Sequence, residues 1–197
     1  VADITLEACK VAKEKGLTVS CDLNYRKNLW SSEKARQVMG RLMQYVDVCI
    51  ANEEDAEKVF GIKADDTDIS SGKLSNEGYK KVAAELYTRF GFKKVAITLR
   101  GSISASDNNW AAMLYDGNEF YFSKNYRIHI VDRVGGGDSF VGGLIYGLIG
   151  GYHPREALEF AVAASCLKHS IEGDFNHVSV SEVRNLMEGD GSGRVVR

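Results

Sequence analysis

Leu6, Cys9, Ala12 and Lys13 recur at three- and four-residue intervals, which predicts a helix from about Asp3 to Lys15, closed by Gly16. Leu17 to Leu23 is mostly apolar or β-branched and predicts a strand. Ser31 or Ser32 then caps a helix to about Tyr45, and Val46 to Ala51 is a second short strand. Asn52 opens a helix that runs to Phe60 and stops at Gly61. The polar stretch from Lys63 to Lys73 predicts a surface loop. Ser75 starts a long helix to about Phe90, again followed by glycine, and Lys94 to Leu99 is a third strand.

Beyond that point the rhythm changes. Ile103 to Ser106, Trp110 to Tyr115 and Glu119 to Phe122 predict short strands, with Asp116-Gly117-Asn118 as a hairpin turn. A strand-like segment, Arg127 to Val131, leads into three helices: Gly137 to Leu148, Pro154 to Ser170 and Val180 to Met187. Pro154 suits a first helical position, and the Gly191-Ser192-Gly193 tail is expected to fray. Alternating strands and helices suit parallel βαβ units. The expectation is one α/β domain over residues 1–197, a three-layer, doubly wound and mostly parallel sheet.

Composition narrows the function classes. The 197 residues are 44% hydrophobic and 26% charged, ordinary for a globular chain. A net charge of -2 without a basic stripe argues against nucleic acid as a partner. The apolar runs are too short to span a membrane. Cys9, Cys21, Cys49 and Cys166 form no CxxC pair, so reduced thiols in a cytoplasmic protein are expected. His129, His153, His169 and His177 have no zinc-ligand spacing. A crossover helix at the very start, without a strand to feed it, suggests the C-terminal part of a longer protein.

The chemistry concentrates in Val131-Asp132-Arg133-Val134-Gly135-Gly136-Gly137-Asp138-Ser139-Phe140. Amides at a glycine-rich helix N-terminus form an anion site, because unpaired N–H groups and the helix dipole point the same way. Asp138 there makes sense as a base that takes a proton from a hydroxyl attacking a held phosphoryl group. The competing reading is a glycine-rich turn with Asp138 or Ser139 as N-cap.

Other polar groups follow strand after strand. On a period-two strand Asp22, Asn24 and Arg26 share one face, and Arg26 could fork onto a phosphate or carboxylate; Asp22 pairing with Arg26 is the alternative. Asn52-Glu53-Glu54-Asp55 is a near capping box whose carboxylates could also order water around magnesium. Thr98 to Ser102 could turn beside a nucleotide. Asp174 lies past a glycine that ends a helix and could approach the same cleft, while Trp110, Tyr115, Phe120, Tyr121 and Phe122 are expected in the sheet core.

These motifs, in this order, resemble the ribokinase-like, or PfkB, family of carbohydrate kinases. Its signature D-T-x-G-A-G-D is matched from Asp132 to Asp138, with Arg133 for Thr and Gly136 for Ala. Asn52 to Asp55 is similar to the family's N-x-x-E, with Asp for Glu. Asp22-x-Asn24-x-Arg26, the signature variant and Lys168-His169-Ser170-Ile171-x-Gly173-Asp174-Phe175-Asn176 look most like the family's kinases of 2-keto-3-deoxygluconate.

The resemblance implies ATP and Mg2+ as cofactors and a sugar acid phosphorylated at its primary hydroxyl. It implies Asp138 as base and the amides of Gly135, Gly136 and Gly137 as anion hole. Arg26, with Asp138 and Asp174, would bind substrate; Asn24, Arg26, Leu99, Arg100, Gly101, Ser102 and Ser104 would line the nucleotide site. Asn52 and Asp55 would hold the metal indirectly, through water. The family's N-terminal strands, β-sheet lid and sugar-gripping glycine motif have no counterpart in these residues, so little or no transfer is expected from the chain alone. Another PfkB activity, on fructose, ribose or a nucleoside, and a non-catalytic nucleotide-binding module are the alternatives. No oligomeric state follows, since the family's dimers form through lid strands.

Overall fold

The structure, a computed structural model, describes residues 1–63 and 76–189. Most of the expected 63–73 loop, the Ser75 helix start and the Gly191-Ser192-Gly193 tail lie outside them. In chain order the elements are α1 (Ala2–Glu14), β1 (Ser20–Asp22), α2 (Ser32–Leu42, extended by a 3-10 turn Met43–Tyr45), β2 (Val48–Asn52) and α3 (Glu53–Asp55, continued by π-helical turns Ala56–Phe60). Then come α4 (Asn76–Phe90), β3 (Lys94–Ser102), β4 (Asp107–Tyr115), β5 (Phe120–Phe122), β6 (Tyr126–His129), α5 (Gly136–Ile149), α6 (Pro154–Lys168) and α7 (Val180–Glu188). The described strands form one sheet in the order β1-β2-β3-β4-β5, with β6 paired to β4. The described residues of Val1–Thr98 and Tyr115–Phe120 make one compact unit, and those of Leu99–Leu114 and Tyr121–Arg197 another.

In the first unit β1, β2 and β3 pair in parallel, with Cys21 opposite Cys49 and Ile50 opposite Ala96. Val48 to Ala51 and Val95 to Ile97 are buried without alternation, as expected of parallel strands covered on both faces. Ser31 caps α2 by accepting the Lys34 amide, and Asn52 caps α3 by accepting that of Asp55. Gly61, at φ 73°, closes the turns that follow.

β1 is shorter than the pattern suggests. Val19 donates its amide to the Asp47 carboxylate at 2.9 Å rather than to a ladder partner, so strand geometry begins only at Ser20. Asp47 is almost fully buried and also pairs with Lys13 and Lys93. Burial alone would raise its carboxyl, but the Lys13, Val19 and Lys93 hydrogen bonds overcome that and hold it below the usual range.

In the second unit β6 runs antiparallel to β4, from Asp107 opposite His129 to Trp110 opposite Tyr126. The expected strand Ile103 to Ser106 is instead the tip between β3 and β4. There the Ser104 hydroxyl accepts the amides of Ser106 and Asp107 and donates to the Asp107 carboxylate, curling the chain. Two glycines let α5 close on α6: a Cβ on Gly143 would lie 2.9 Å from the Ala161 Cα, and one on Gly147 2.8 Å from the Ala157 Cβ. α7 carries a capping box between Ser179 and Glu182 and packs against α6 through Val183. Among the described residues no helix is long and apolar enough to cross a membrane.

Candidate functional site

The glycine run does not place Asp138 or Ser139 at the cap. Gly135 is the N-cap, left-handed at φ 74°, and makes no side-chain cap. Its place requires glycine twice over: a Cβ would collide with the Asp174 carbonyl and sit 3.0 Å from that residue's Oδ1. Asp138 therefore lies in the first turn of α5, exposed, and among the described residues no group hydrogen-bonds its carboxylate. The Ser139 amide returns to the Gly135 carbonyl at 2.8 Å, and that of Gly136 reaches Arg133 only at 3.4 Å. The amides of Gly137 and Asp138 have no acceptor among the described residues, and a Cβ on Gly137 would meet open space.

Two segments hold this turn. The Asp132 carboxylate accepts the amides of Val134 at 3.0 Å and Gly173 at 2.9 Å. Those two amides, with the charge of Lys168 beyond them, keep its carboxyl below the usual range. The Arg133 guanidinium donates to the Ala105 carbonyl at 2.6 Å and braces the β3–β4 tip. Lys168 is fully buried, its ammonium donating to the Ile171 carbonyl at 3.0 Å.

Gly135, Asp138 and Asp174 line one end of an open cleft of about 650 Å³. The other wall is apolar: Tyr146 stacks on Phe160 at 5.0 Å between centroids, with Val178, Val180 and Val183 nearby. Asn176 pins the junction, donating to the Ser139 hydroxyl at 2.6 Å and the Ala164 carbonyl at 3.2 Å. Its Oδ1 has no partner among the described residues. An anion-receiving turn joined to an apolar slot suits a molecule with a flat base and a phosphate tail. The sequence offered Asn176 only as the end of a motif, and nothing in it singled out Tyr146, Phe160 or Val180.

Leu99, Arg100, Gly101 and Ser102 do not form the expected turn. They continue β3, Gly101 packing on Asn109, and with Ser104 they do not line this cleft.

In the first unit β1 ends at Asp22, so Asn24 and Arg26 share no strand face with it. The Asn24 amide donates to Asp22 at 3.2 Å, and Asn24 turns left-handed at φ 40°, which asparagine tolerates. The exposed Arg26 donates to the Tyr25 carbonyl at 3.2 Å. Asn52 and Asp55 have structural work: the Asn52 oxygen takes the Asp55 amide at 2.8 Å, and an Asp55 oxygen takes the Tyr25 amide at 3.1 Å. Burial pushes the Asp55 carboxyl up, against the Tyr25 and Asn52 hydrogen bonds and the charge of Arg26. Among the described residues no cluster of three His, Cys, Asp or Glu could hold a metal ion. The four cysteines are free, and burial, with the Asp22 charge, pushes the Cys21 thiol up to about 12.

Residues 1–176 match the pfkB family carbohydrate kinase domain. The chain belongs to that family. It is 31% identical over 191 residues to the 2-dehydro-3-deoxygalactonokinase of Haloferax volcanii, covering 97% of this chain and 54% of that protein. The crystal structure of 2-dehydro-3-deoxygluconokinase from Thermotoga maritima superposes with a TM-score of 0.89 at 52% identity, over 95% of this chain and 55% of that one. Arabidopsis thaliana ribokinase, at 20% identity and a TM-score of 0.68, covers 96% of this chain and 53% of its own and shares the fold. The PfkB chain thus has the ribokinase-like α/β fold with a mostly parallel sheet, and spans about half the length of these relatives.

Proposed function

We propose that the protein containing these residues is an ATP-dependent sugar-acid kinase that converts 2-keto-3-deoxygluconate to 2-keto-3-deoxy-6-phosphogluconate. The observation that carries it is the unengaged Asp138 carboxylate beside the open amides of Gly137 and Asp138, at the mouth of the cleft. Asp138 takes the proton of the sugar's primary hydroxyl as its oxygen bonds to the γ-phosphorus. The bond from that phosphorus to the β-bridging oxygen breaks, and ADP leaves. The Gly135–Gly137 turn receives the charge that builds on the transferring group. Asp174 faces the same mouth and would contact the sugar acid; the apolar wall of Tyr146 and Phe160 would take the base. Arg26 and Asn24 are proposed at the substrate and the phosphates.

A magnesium ion would neutralise phosphate charge when bound. The Asn52 oxygen caps α3 and one Asp55 oxygen takes the Tyr25 amide, which suits contact with the ion through water better than direct ligation.

The substrate reading rests on the Thermotoga relative, and the Haloferax relative makes the galactonate epimer the second candidate. ATP consumption with each sugar acid, and with fructose, ribose and a nucleoside, is measured for this chain, the intact protein and Asp138→Asn. Sugar-acid-dependent turnover that falls by about three orders of magnitude in Asp138→Asn is expected of the intact protein. Unchanged turnover in that variant would remove Asp138 from the chemistry. Nucleotide binding without turnover on any sugar would favour a binding module.

A further inference from the structure

Behind the glycine turn stands a buried histidine that the phosphoryl-transfer reading leaves without a role. His169 is 4% exposed, at the end of α6. Its Cε1 and Nε2 lie 2.6 and 2.7 Å from the place a Cβ on Gly136 would occupy. Side chains do not approach a real Cβ so closely, so imidazole and alanine cannot both be accommodated in this arrangement. The ring has little room to retreat, with Trp110 packed at 4.8 Å between centroids.

Four hydrogen bonds connect His169, Ser165 and the turn. Nδ1 lies 2.7 Å from the Ser165 carbonyl, which can only accept, so the network assigns the ring proton to Nδ1. The Ser165 hydroxyl donates to the Gly136 carbonyl at 2.7 Å. The His169 carbonyl accepts the amides of Val131 at 2.8 Å and Asp132 at 3.3 Å. The ring, the Ser165 hydroxyl and the His169 backbone therefore grip the turn at its start and at its middle.

We infer that His169 is a positioning residue for the anion hole: it sets Gly136, and so aims the amides of Gly137 and Asp138, and it accounts for glycine where the family signature has alanine. The inference rests on the kinase reading above. The imidazole fills the space that the signature's methyl group would use, and Ser165 carries the restraint to the Gly136 carbonyl.

The test pairs thermal unfolding with the ratio of ADP to adenosine affinity in Gly136→Ala, His169→Ala, the double variant and Ser165→Ala. The ratio isolates the phosphate contacts, which a purely structural role would not move. Gly136→Ala is expected to lower Tm by about 3–10 °C and the ratio by about tenfold. Adding His169→Ala should recover most of both losses. Ser165→Ala, which removes one hydroxyl and should fold even where Gly136→Ala does not, is expected to cut the ratio about threefold. A double variant no better than Gly136→Ala, or a ratio unmoved in all variants while Tm responds, overturns the inference. A wild-type protein that binds ADP no better than adenosine overturns the kinase reading and the inference with it. Failure of the inference alone leaves the wild-type ratio high.

Discussion

The Asp132 carboxylate accepts the amide of Gly173 at 2.9 Å, across 41 residues of sequence. The first acid of the signature thus sets the loop that carries Asp174, while its other oxygen holds Val134 at the entry to the glycine turn. On the kinase reading proposed above, replacing Asp132 by Ala should lower kcat/KM for the sugar by about tenfold or more, because the glycine turn and the Asp174 loop lose their common anchor. Steady-state kinetics on the intact protein would show this; a variant within twofold of wild type would mean the loop is held by other contacts.

Gly147 and Gly143 predict opposite behaviour to their neighbour Gly142. Alanine in a helix is favoured over glycine by about 1 kcal/mol. At 143 and 147 that gain is outweighed by a methyl driven into Ala161 and Ala157, an overpacking cost of about 1–3 kcal/mol. At exposed Gly142 nothing lies within 4 Å. Denaturant unfolding should rank Gly142→Ala above wild type and Gly147→Ala below it. The reverse order would show that α5 can shift off α6 at little cost.

Asp47 makes the first unit acid-sensitive. Its folded carboxyl sits below the unfolded value of 3.8, so its stabilisation is complete above that value and is lost as pH falls through the folded value. Removing it by Asp47→Ala also strands the Val19 amide, and should cost about 2 kcal/mol at neutral pH. Unfolding curves at pH 7 and pH 3 check both points. The loss from Asp47→Ala should shrink at the lower pH, and an equal loss at both would place the cost in packing alone.

His169 acts in a higher range. Burial first, then the charges of Lys168, Arg133 and Arg100, depress its folded value below the unfolded 6.5, against the Ser165 carbonyl. The folded state then favours the neutral ring, so stability declines as pH falls below 6.5 toward the folded value. Replacing His169 by Gln should flatten Tm between pH 7 and pH 5. An unchanged slope would assign that dependence to other groups.

The α/β class, nearly every helix, the Asn52 cap and the glycine turn that opens a helix ahead of Asp138 were legible in the sequence, because helical spacing, capping residues and glycine act over a few neighbouring positions. The resemblance to the PfkB signature likewise rested on contiguous residues. What failed was strand pattern overridden by a side-chain hydrogen bond, distant in one case and local in the other. Val19 leaves its strand because Asp47 takes its amide, and Ile103 to Ser106 curl because one hydroxyl satisfies two amides. Leu99 to Ser102 remain strand where a turn was expected.

The sequence by itself determined which elements form and where an acid meets a glycine-rich helix start. Tertiary structure decided what those residues face: Asp174 against Gly135, Asn176 on Ser139, the apolar wall of Tyr146 and Phe160, and the imidazole of His169 in the place of a methyl group on Gly136. Those partners lie some thirty to forty positions apart, or on different helices. Only the closing of α6 and its following loop onto α5 brings them within bonding distance, and no periodicity along the chain records that approach.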